Sequence, residues 1–526
     1  MIILISNILF DNILKIINKE IIMFLDALSF VENINSYLQI IIMILIFSVG
    51  LLLTIKNRFL QVSKFGYSFN NTLGKTIKET ISKDKNRKKS SVSPFAAFAT
   101  AVAGTVGTGN IVGVATAILA GGPGAIFWMW VSAFFGMLTN YSENTLGIYF
   151  RDKSKNGEYR GGAMYYIVRG LGKGFKWLAI LFAIFTVIAS IGYNFAQSNS
   201  ISTTLVGVFD TKIDEWVIKI IIGSILAIIV GFVIIGGIKR ISNVTSLLVP
   251  FMALLYIILA LVIIFMNVTK LPGAFGLIFS NAFSFKSVGG GILGYTIIKA
   301  CRYGVARGIF SNEAGLGSSV TAHSQADVEE PVEQGLWGIF EVFLDTFIIC
   351  TLTALIILVS GVDLSGTLKG SEIGLYIFDD SFGLFGRIIY RIILPLFAFT
   401  TIVSWSYYGE KAIEYLFGFK SKLIYKLIFI ALIVLGATMS VDLVWELADT
   451  FNILMAIPNL LALLLLSGLI AKITKNYFER KKGINIKPLM SYDENQNKEM
   501  FIKSLRKRGY SYEEALSIYE NDMASS

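Results

Sequence analysis

A chain of 526 residues that is 54% hydrophobic and only 16% charged, with a strongly positive mean hydropathy, falls outside the range of ordinary soluble domains. Lys and Arg outnumber Asp and Glu by 46 to 36, and that excess collects between the apolar stretches rather than within them. The expected solvent is a bilayer, with membrane lipid as a partner, and nothing in the composition calls for nucleic acid or a cofactor.

A spanning helix needs about 20 mainly apolar residues, because the hydrocarbon core is ~30 Å thick and each helical residue rises ~1.5 Å. Residues 1–35 read as an interfacial segment: Asp11, Lys15, Lys19 and Glu20 interrupt the apolar run, and no small-residue cleavage site follows. A leading span is expected at 36–56, then a basic loop at 57–93. A first five-helix repeat follows over 94–236, with spans at 94–118, 124–150, 177–205 and 216–236, completed by the span at 243–267. A second occupies 290–472, with spans at 290–310, 335–359, 387–413, 421–439 and 444–472. The polar tail, 475–526, carries a short helical pattern, YSYEEALSIYE. The expected fold is an all-α polytopic membrane protein of about eleven transmembrane helices. Both cysteines, Cys301 and Cys350, fall in apolar segments and read as small hydrophobes.

Positively charged loops stay on the cytoplasmic side. Lys83, Lys85, Arg87, Lys88 and Lys89 make the loop after the leading span the richest, so that span runs inward and the N-terminus lies outside. Arg151, Lys153, Lys155 and Arg160, then Lys239 with Arg240, Lys420 with Lys422, and Arg480 to Lys482 agree, leaving the C-terminus in the cytoplasm. The outer loop from Val362 to Asp380 is acidic, although Arg387 and Arg391 beside it run against the rule.

Two spans contain helix-weakening runs at mid-depth. In the first, Gly104, Thr105, Val106, Gly107, Thr108, Gly109 and Asn110 are consecutive, and each interior Gly costs roughly 1 kcal/mol relative to Ala. Unwound backbone there must line a protein cavity, where its carbonyls can meet a cation and its amides an anionic group. The alternative is close packing of helices through small residues. Five spans later Gly304, Gly308, Gly315 and Gly317 surround Ser311, Asn312 and Glu313. Five is odd, so the second copy starts from the opposite side. Paired discontinuous helices in inverted repeats point to a transporter site.

Glu341 and Asp345 lie four residues apart on one face of the seventh core helix, and an intramembrane carboxylate is a functional candidate by default. They are candidates for proton carriage. Lys299, Arg302 and Arg307 on the preceding broken helix favour a structural ion-pair network instead. His323, the one histidine, is expected to be solvated in the loop after the second break. One histidine excludes an HExxH zinc site, and no GxSxG nucleophile elbow occurs, so the chain does not read as an enzyme. Paired breaks suit alternating access better than a channel pore. A transporter-like sensor stays open, as does the oligomeric state.

The run GGPGAIFWMWVSAFFG, Gly121 to Gly136, with GTVGTGNIVGVATAI before it and RYGVARGIFSNEAGLGSSVTAHS later, resembles the sodium:alanine symporter family, the alanine or glycine:cation symporters. The similarity extends from about Ser93 to Ile473. The resemblance implies a core similar to the bacterial leucine transporter, one leading helix plus two inverted five-helix repeats with broken first and sixth core helices. It implies Na⁺-coupled import of alanine or glycine, with Na⁺ as the co-transported ion. It places Thr108, Gly109 and Asn110 in the substrate site, with Gln197 facing the substrate ammonium and Trp405 as a bulky wall. For sodium it implies the carbonyls of Ala103 and Val106 with the hydroxyls of Thr400 and Thr401, where back-bonding of the hydroxyls to their own helix is the alternative.

Overall fold

The computed structural model describes residues 31, 34, 35, 37–81, 92–153, 158–208, 213–283, 293–364, 368–439, 441–484, 486–506 and 509–524. The expected interfacial segment falls almost wholly outside them, as do Lys83, Lys85, Arg87, Lys88, Lys89 and Lys155.

The leading helix α1, Tyr37–Lys56, is followed by short helical pieces from Leu60 to Ile81 where an open loop was expected. The first core span is broken, as its glycines suggested, into α2, Pro94–Thr105, and α3, Val112–Gly121. Ser93 fixes the start of α2: its hydroxyl accepts from the Ala96 N–H, and Pro94 occupies the first turn, where its missing N–H does no harm. Then come α4, Ala125–Tyr149, α5, Lys176–Val206, α6, Glu215–Ile235, and α7, Gly237–Met266.

The second repeat begins with α8, Leu293–Asn312, and the four-residue α9, Val320–His323, on either side of a second break. It continues through α10, Pro331–Ser360, α11, Leu384–Phe417, α12, Ser421–Thr438, and α13, Val441–Lys481. Eight of the described helices are long and apolar enough to cross a membrane. The broken α2–α3 pair, α4 and α8 bring the spans among the described residues to the expected eleven. Ile228, Phe232, Leu247, Phe251 and Leu254 stand exposed on α6 and α7, a face suited to lipid tails.

Two helices lie between spans where loops were expected, Leu271–Ala282 and Gly370–Phe382. The second pairs one of the two arginines that ran against the charge rule: Arg387 bonds Asp379 at 2.8 Å. The tail forms α14, Glu494–Arg506, and α15, Tyr512–Ala524, around Met490, Phe501, Ile502 and Leu505. It docks on the core at one end, where the Tyr492 N–H donates to the Tyr149 carbonyl and Arg480 bonds Glu330 at 2.7 Å.

α11 packs along α5, and α4 along α8 and α10. Small residues allow the α4–α10 approach: a Cβ on Gly335 would collide with Thr145 Oγ1, and one on Gly338 would stand 2.7 Å from Asn144 Nδ2. The two breaks meet at the centre of this packing.

Candidate functional site

At the first break the chain leaves helical geometry at Val106 (ψ 87°) and runs extended through Gly107. Thr108–Asn110 form one tight turn before α3 begins. The Gly107 N–H, freed by the break, donates to Asn110 Oδ1 at 2.9 Å. At the second break Glu313 adopts a left-handed conformation (φ 54°), as do Gly315 (φ 92°) and Gly317 (φ 71°). That conformation is costly for a side chain and free for glycine, which accounts for the glycines of NEAGLG and leaves Glu313 as a strained residue.

Of the residues expected to meet the substrate, Thr108, Asn110, Gln197 and Trp405 are all buried. Thr108 Oγ1 donates to Gln197 Oε1 at 2.9 Å, which brings the first break against α5. A Cβ on Gly109 would stand 3.1 Å from the Phe310 ring. Asn110 turns its Nδ2 to Asp345 Oδ1 at 2.5 Å, so its side chain is shared between its own break and α10. Trp405 stacks on Tyr193 with centroids 3.8 Å apart, and Tyr193 stacks on Phe310 at 5.0 Å. These three rings, from α11, α5 and α8, form a continuous aromatic wall beside the break.

For the expected cation ligands, Thr401 Oγ1 is 3.0 Å from the Ala103 carbonyl and 3.1 Å from that of Phe397. Thr400 Oγ1 reaches the same Phe397 carbonyl at 3.0 Å, with Met252 Sδ at 3.6 Å on its other side. Both hydroxyls therefore back-bond to their own helix, and Thr401 alone of the two also crosses to α2. A Cβ on Gly107 would run into Thr401 Oγ1, so glycine is what lets the unwound backbone reach α11. Val106 stands beside it with its carbonyl released from the helix by the extended ψ. Residues missed by sequence reasoning are Phe397, through its carbonyl, and Ser404, whose hydroxyl donates to the Thr100 carbonyl at 2.8 Å. Ser404 is three residues from Thr401, so helical spacing places both on one face.

The intramembrane acids correct the sequence reading. Arg307 pairs with Asp449 at 2.9 Å, and Arg302 donates to Gln39 at 2.7 Å; neither meets Glu341 or Asp345. Asp345 lies in the π-helical stretch Phe343–Cys350 and Glu341 about one turn before it, and each meets its own neighbours. Asp345 faces the breaks, accepting from Ser311 Oγ and Thr346 Oγ1, each at 2.9 Å, besides Asn110. Glu341 faces His323 at 2.8 Å. His323 is not solvated: α9 folds back into the bundle and buries it completely. Two further acids make contacts the sequence did not assign: Glu313, read there only as part of the second break, and Glu143, which was not singled out. Glu313 accepts from Trp405 Nε1 at 2.7 Å and Ser318 Oγ at 2.5 Å. Glu143 accepts from Asn459 Nδ2 at 2.5 Å and the Gly317 N–H at 3.2 Å.

Towards the tail lies this Glu143–Asn459–Gly317 contact, and towards the opposite face lie Arg307–Asp449 and Asn452, which donates to the Tyr193 hydroxyl at 3.1 Å. Two broken helices enclosing polar backbone between two such contacts are the components of an alternating-access carrier. The model of the sodium:alanine symporter family matches residues 25–489. The chain belongs to that family.

Relatives of the family cover most of this chain. The sodium/alanine symporter AgcS of Methanococcus maripaludis is 42% identical over 87% of this chain and 99% of its own length. An uncharacterized transporter of Haemophilus influenzae is 44% identical over 84% and 94%. The "Probable sodium/glutamine symporter GlnT" of Bacillus subtilis is 39% identical over 84% and 89%. Among solved structures, MhsT in complex with L-phenylalanine superposes with a TM-score of 0.52 at 15% identity, covering 74% of this chain and 99% of that one. A mutant of the Eremococcus coleocola manganese transporter gives 0.50 at 11%, covering 83% and 93%. These likenesses give the fold, the leucine-transporter type of core expected from the sequence. The symporter is thus a multi-pass membrane protein that couples sodium to an amino acid, and not an enzyme.

Proposed function

We propose that this symporter imports a small neutral amino acid, alanine or glycine, with Na⁺ by alternating access. The observation that carries the reading is the first break itself. On its α2 side the Ala103 carbonyl lies beside Thr401, with Thr400 and the Phe397 carbonyl next to it and the Val106 carbonyl, freed at the break, as the further ligand of this reading: neutral oxygens suited to one hard monovalent cation. On its α3 side Thr108, Gly109 and Asn110 precede the N-terminus of α3, whose free amides and dipole favour a carboxylate, while Gln197 offers an amide oxygen to an ammonium group. The Trp405–Tyr193–Phe310 wall supports this choice, because a bulky stacked wall would exclude side chains longer than those of small amino acids. AgcS, named for alanine, supports this choice over glutamine.

The lysines and arginines of the loops support a cell (inner) membrane location with the N-terminus outside and the tail in the cytoplasm. Asp345 favours one competing driver, a proton, because a buried carboxylate at the junction of both breaks is where proton coupling would act. Uptake of labelled alanine into proteoliposomes decides between them. An inward Na⁺ gradient should drive accumulation, choline should abolish it, and a negative interior should add ~2.3 kcal/mol per 100 mV for one charge. Accumulation on a pH gradient without Na⁺ would overturn the sodium reading.

A further inference from the structure

His323 is the one histidine of the chain, and no atom of it reaches solvent. It closes α9, which packs against α2, α4 and α11. Its Nε2 is 2.8 Å from Glu341 Oε2, and its Nδ1 is 2.6 Å from Gln334 Nε2. Both partners stand on α10. Gln334 Oε1 has no hydrogen-bond partner, and the same holds for Glu143 Oε2 and Asn144 Oδ1 on α4, while Asn140 and Ser319 are the side chains that bond Glu341 besides His323. The α4–α10 seam is therefore rich in buried acceptors and short of donors, and a proton is the smallest donor it can take up.

The surrounding charges agree. Glu143 from α4, Glu313 from the second break, Asp345 from α10 and Tyr408 from α11 all act on this region electrostatically, while α2 contributes no titratable side chain. Arg151, from the segment after α4, is taken up by the carbonyls of Ser324, Ala326 and Val328. The ion-pair partner of Glu341 is His323. Removing the exchangeable proton from the pair would leave an ionised carboxylate, held by the imidazole N–H, in a dry site among three other acids.

We propose that His323 and Glu341 form a proton-binding site on the tail side of the two breaks, separate from the sodium ligands, which holds one proton while that side is closed and exchanges it with the cytoplasm when it opens. The cytoplasmic assignment rests on the orientation proposed above. In the loaded site the proton lies either on the imidazole, as His⁺ beside Glu⁻, or on Glu341, whose O–H then donates to Nε2. Both forms put a hydrogen on Nδ1. In the unloaded site Nε2–H donates to the carboxylate and Nδ1 is bare. Gln334 serves either state, because its amide donates to a bare Nδ1 and, after a half-turn that engages its unpartnered oxygen, accepts from Nδ1–H. Opening hydrates Glu341, lowers its hold on the proton and so links internal pH to the closed–open equilibrium.

A single histidine makes the test direct. Tag-free protein labelled with ¹⁵N-histidine in nanodiscs gives one imidazole signal, in which Nδ1 reports loading wherever the proton lies. Nδ1 should pass from protonated to bare once between about pH 5 and about pH 9. The midpoint should differ on the order of tenfold in proton affinity between protein saturated with Na⁺ and alanine and protein without them. Glu341→Gln should abolish the switch, and the wild-type titration alone decides the matter should that variant not fold. An Nδ1 that keeps one state throughout, or a switch that survives Glu341→Gln unchanged, overturns the proposal. Failure of the transport reading would appear separately, as absent uptake in proteoliposomes.

Discussion

The indole N–H of Trp405 donates to Glu313 Oε1 across 2.7 Å, joining α11 to the strained residue of the second break. The aromatic wall is thus fixed in place by the segment that must move. Trp405→Phe keeps a ring but removes the donor, and leaving a buried acceptor unmatched costs about 1–3 kcal/mol. Alanine affinity of the purified variant, by calorimetry, should fall roughly tenfold or more. Trp405→Ala should in addition admit larger amino acids in competition assays; unchanged selectivity would place the wall elsewhere.

Thr401 crosses to Ala103 and Thr400 does not, so the two threonines should separate functionally. Thr401→Val keeps the shape and deletes the oxygen. It should raise the Na⁺ concentration for half-maximal uptake by about tenfold, a loss on the order of 1.4 kcal/mol, without altering which amino acids compete. Thr400→Val should have the smaller effect on the same Na⁺ titration.

Gly107 and Gly109 owe their identity to different neighbours. In Gly107→Ala the new methyl meets Thr401 Oγ1 and should eliminate Na⁺-dependent uptake. In Gly109→Ala the methyl stands 3.1 Å from the Phe310 ring, which can give by a few tenths of an ångström, and alanine affinity should weaken without being lost. Gly109→Leu has no such room and should abolish binding. Normal affinity in the leucine variant would remove Gly109 from the pocket.

Much of this arrangement was legible in the sequence, and for stated physical reasons. Glycine clusters in apolar runs marked both breaks, because few other residues tolerate unwinding at that depth. What stayed hidden depends on rotation and on backbone. The Phe397 carbonyl carries no side-chain signature, and the π-helical stretch that contains Asp345 leaves none in the spacing of FLDTFIIC. His323 was misread because α9 has only four residues, too few for a periodic pattern, so a folded-back helix looked like a polar loop. Glu143 was within reach, since the rule that singled out Glu341 applies equally to an acid inside the span at 124–150.

Arg307 and Asp449 form a mostly buried pair on the face opposite the tail, joining α8 to α13. Asp449→Asn should favour opening on that face. Alkylation of an Ile309→Cys variant in a Cys301→Ser background should then speed up severalfold when the Asn substitution is added, because Ile309 lines the small cleft beside the pair. An unchanged rate would mean that the pair does not bar access.

Outside the spans, burial pushes the Glu158 carboxyl up, but Lys411, Lys422 and Lys426 outweigh it and hold the group below the usual carboxylate range. A depressed carboxyl contributes stability above its unfolded value and loses it as pH falls through the folded one. Glu158→Gln should therefore lower the Tm at neutral pH. The gap from wild type should close as the pH drops below the ordinary carboxylate range, a trend that scanning fluorimetry can follow.

Asp345 receives Asn110 on one oxygen and Ser311 on the other, so a single carboxylate on an unbroken span holds both interrupted ones. Helices yoked in this way move together rather than singly. A conformation with the first break displaced and the second in place would take from Oδ1 its Asn110 donor in a dry interior, a state costly enough to be visited seldom. Such half-shifted states are the ones through which an ion slips across without its amino acid. The yoke therefore bears on the tightness of coupling, and leak current in the absence of substrate, rather than transport rate, is the quantity most sensitive to it.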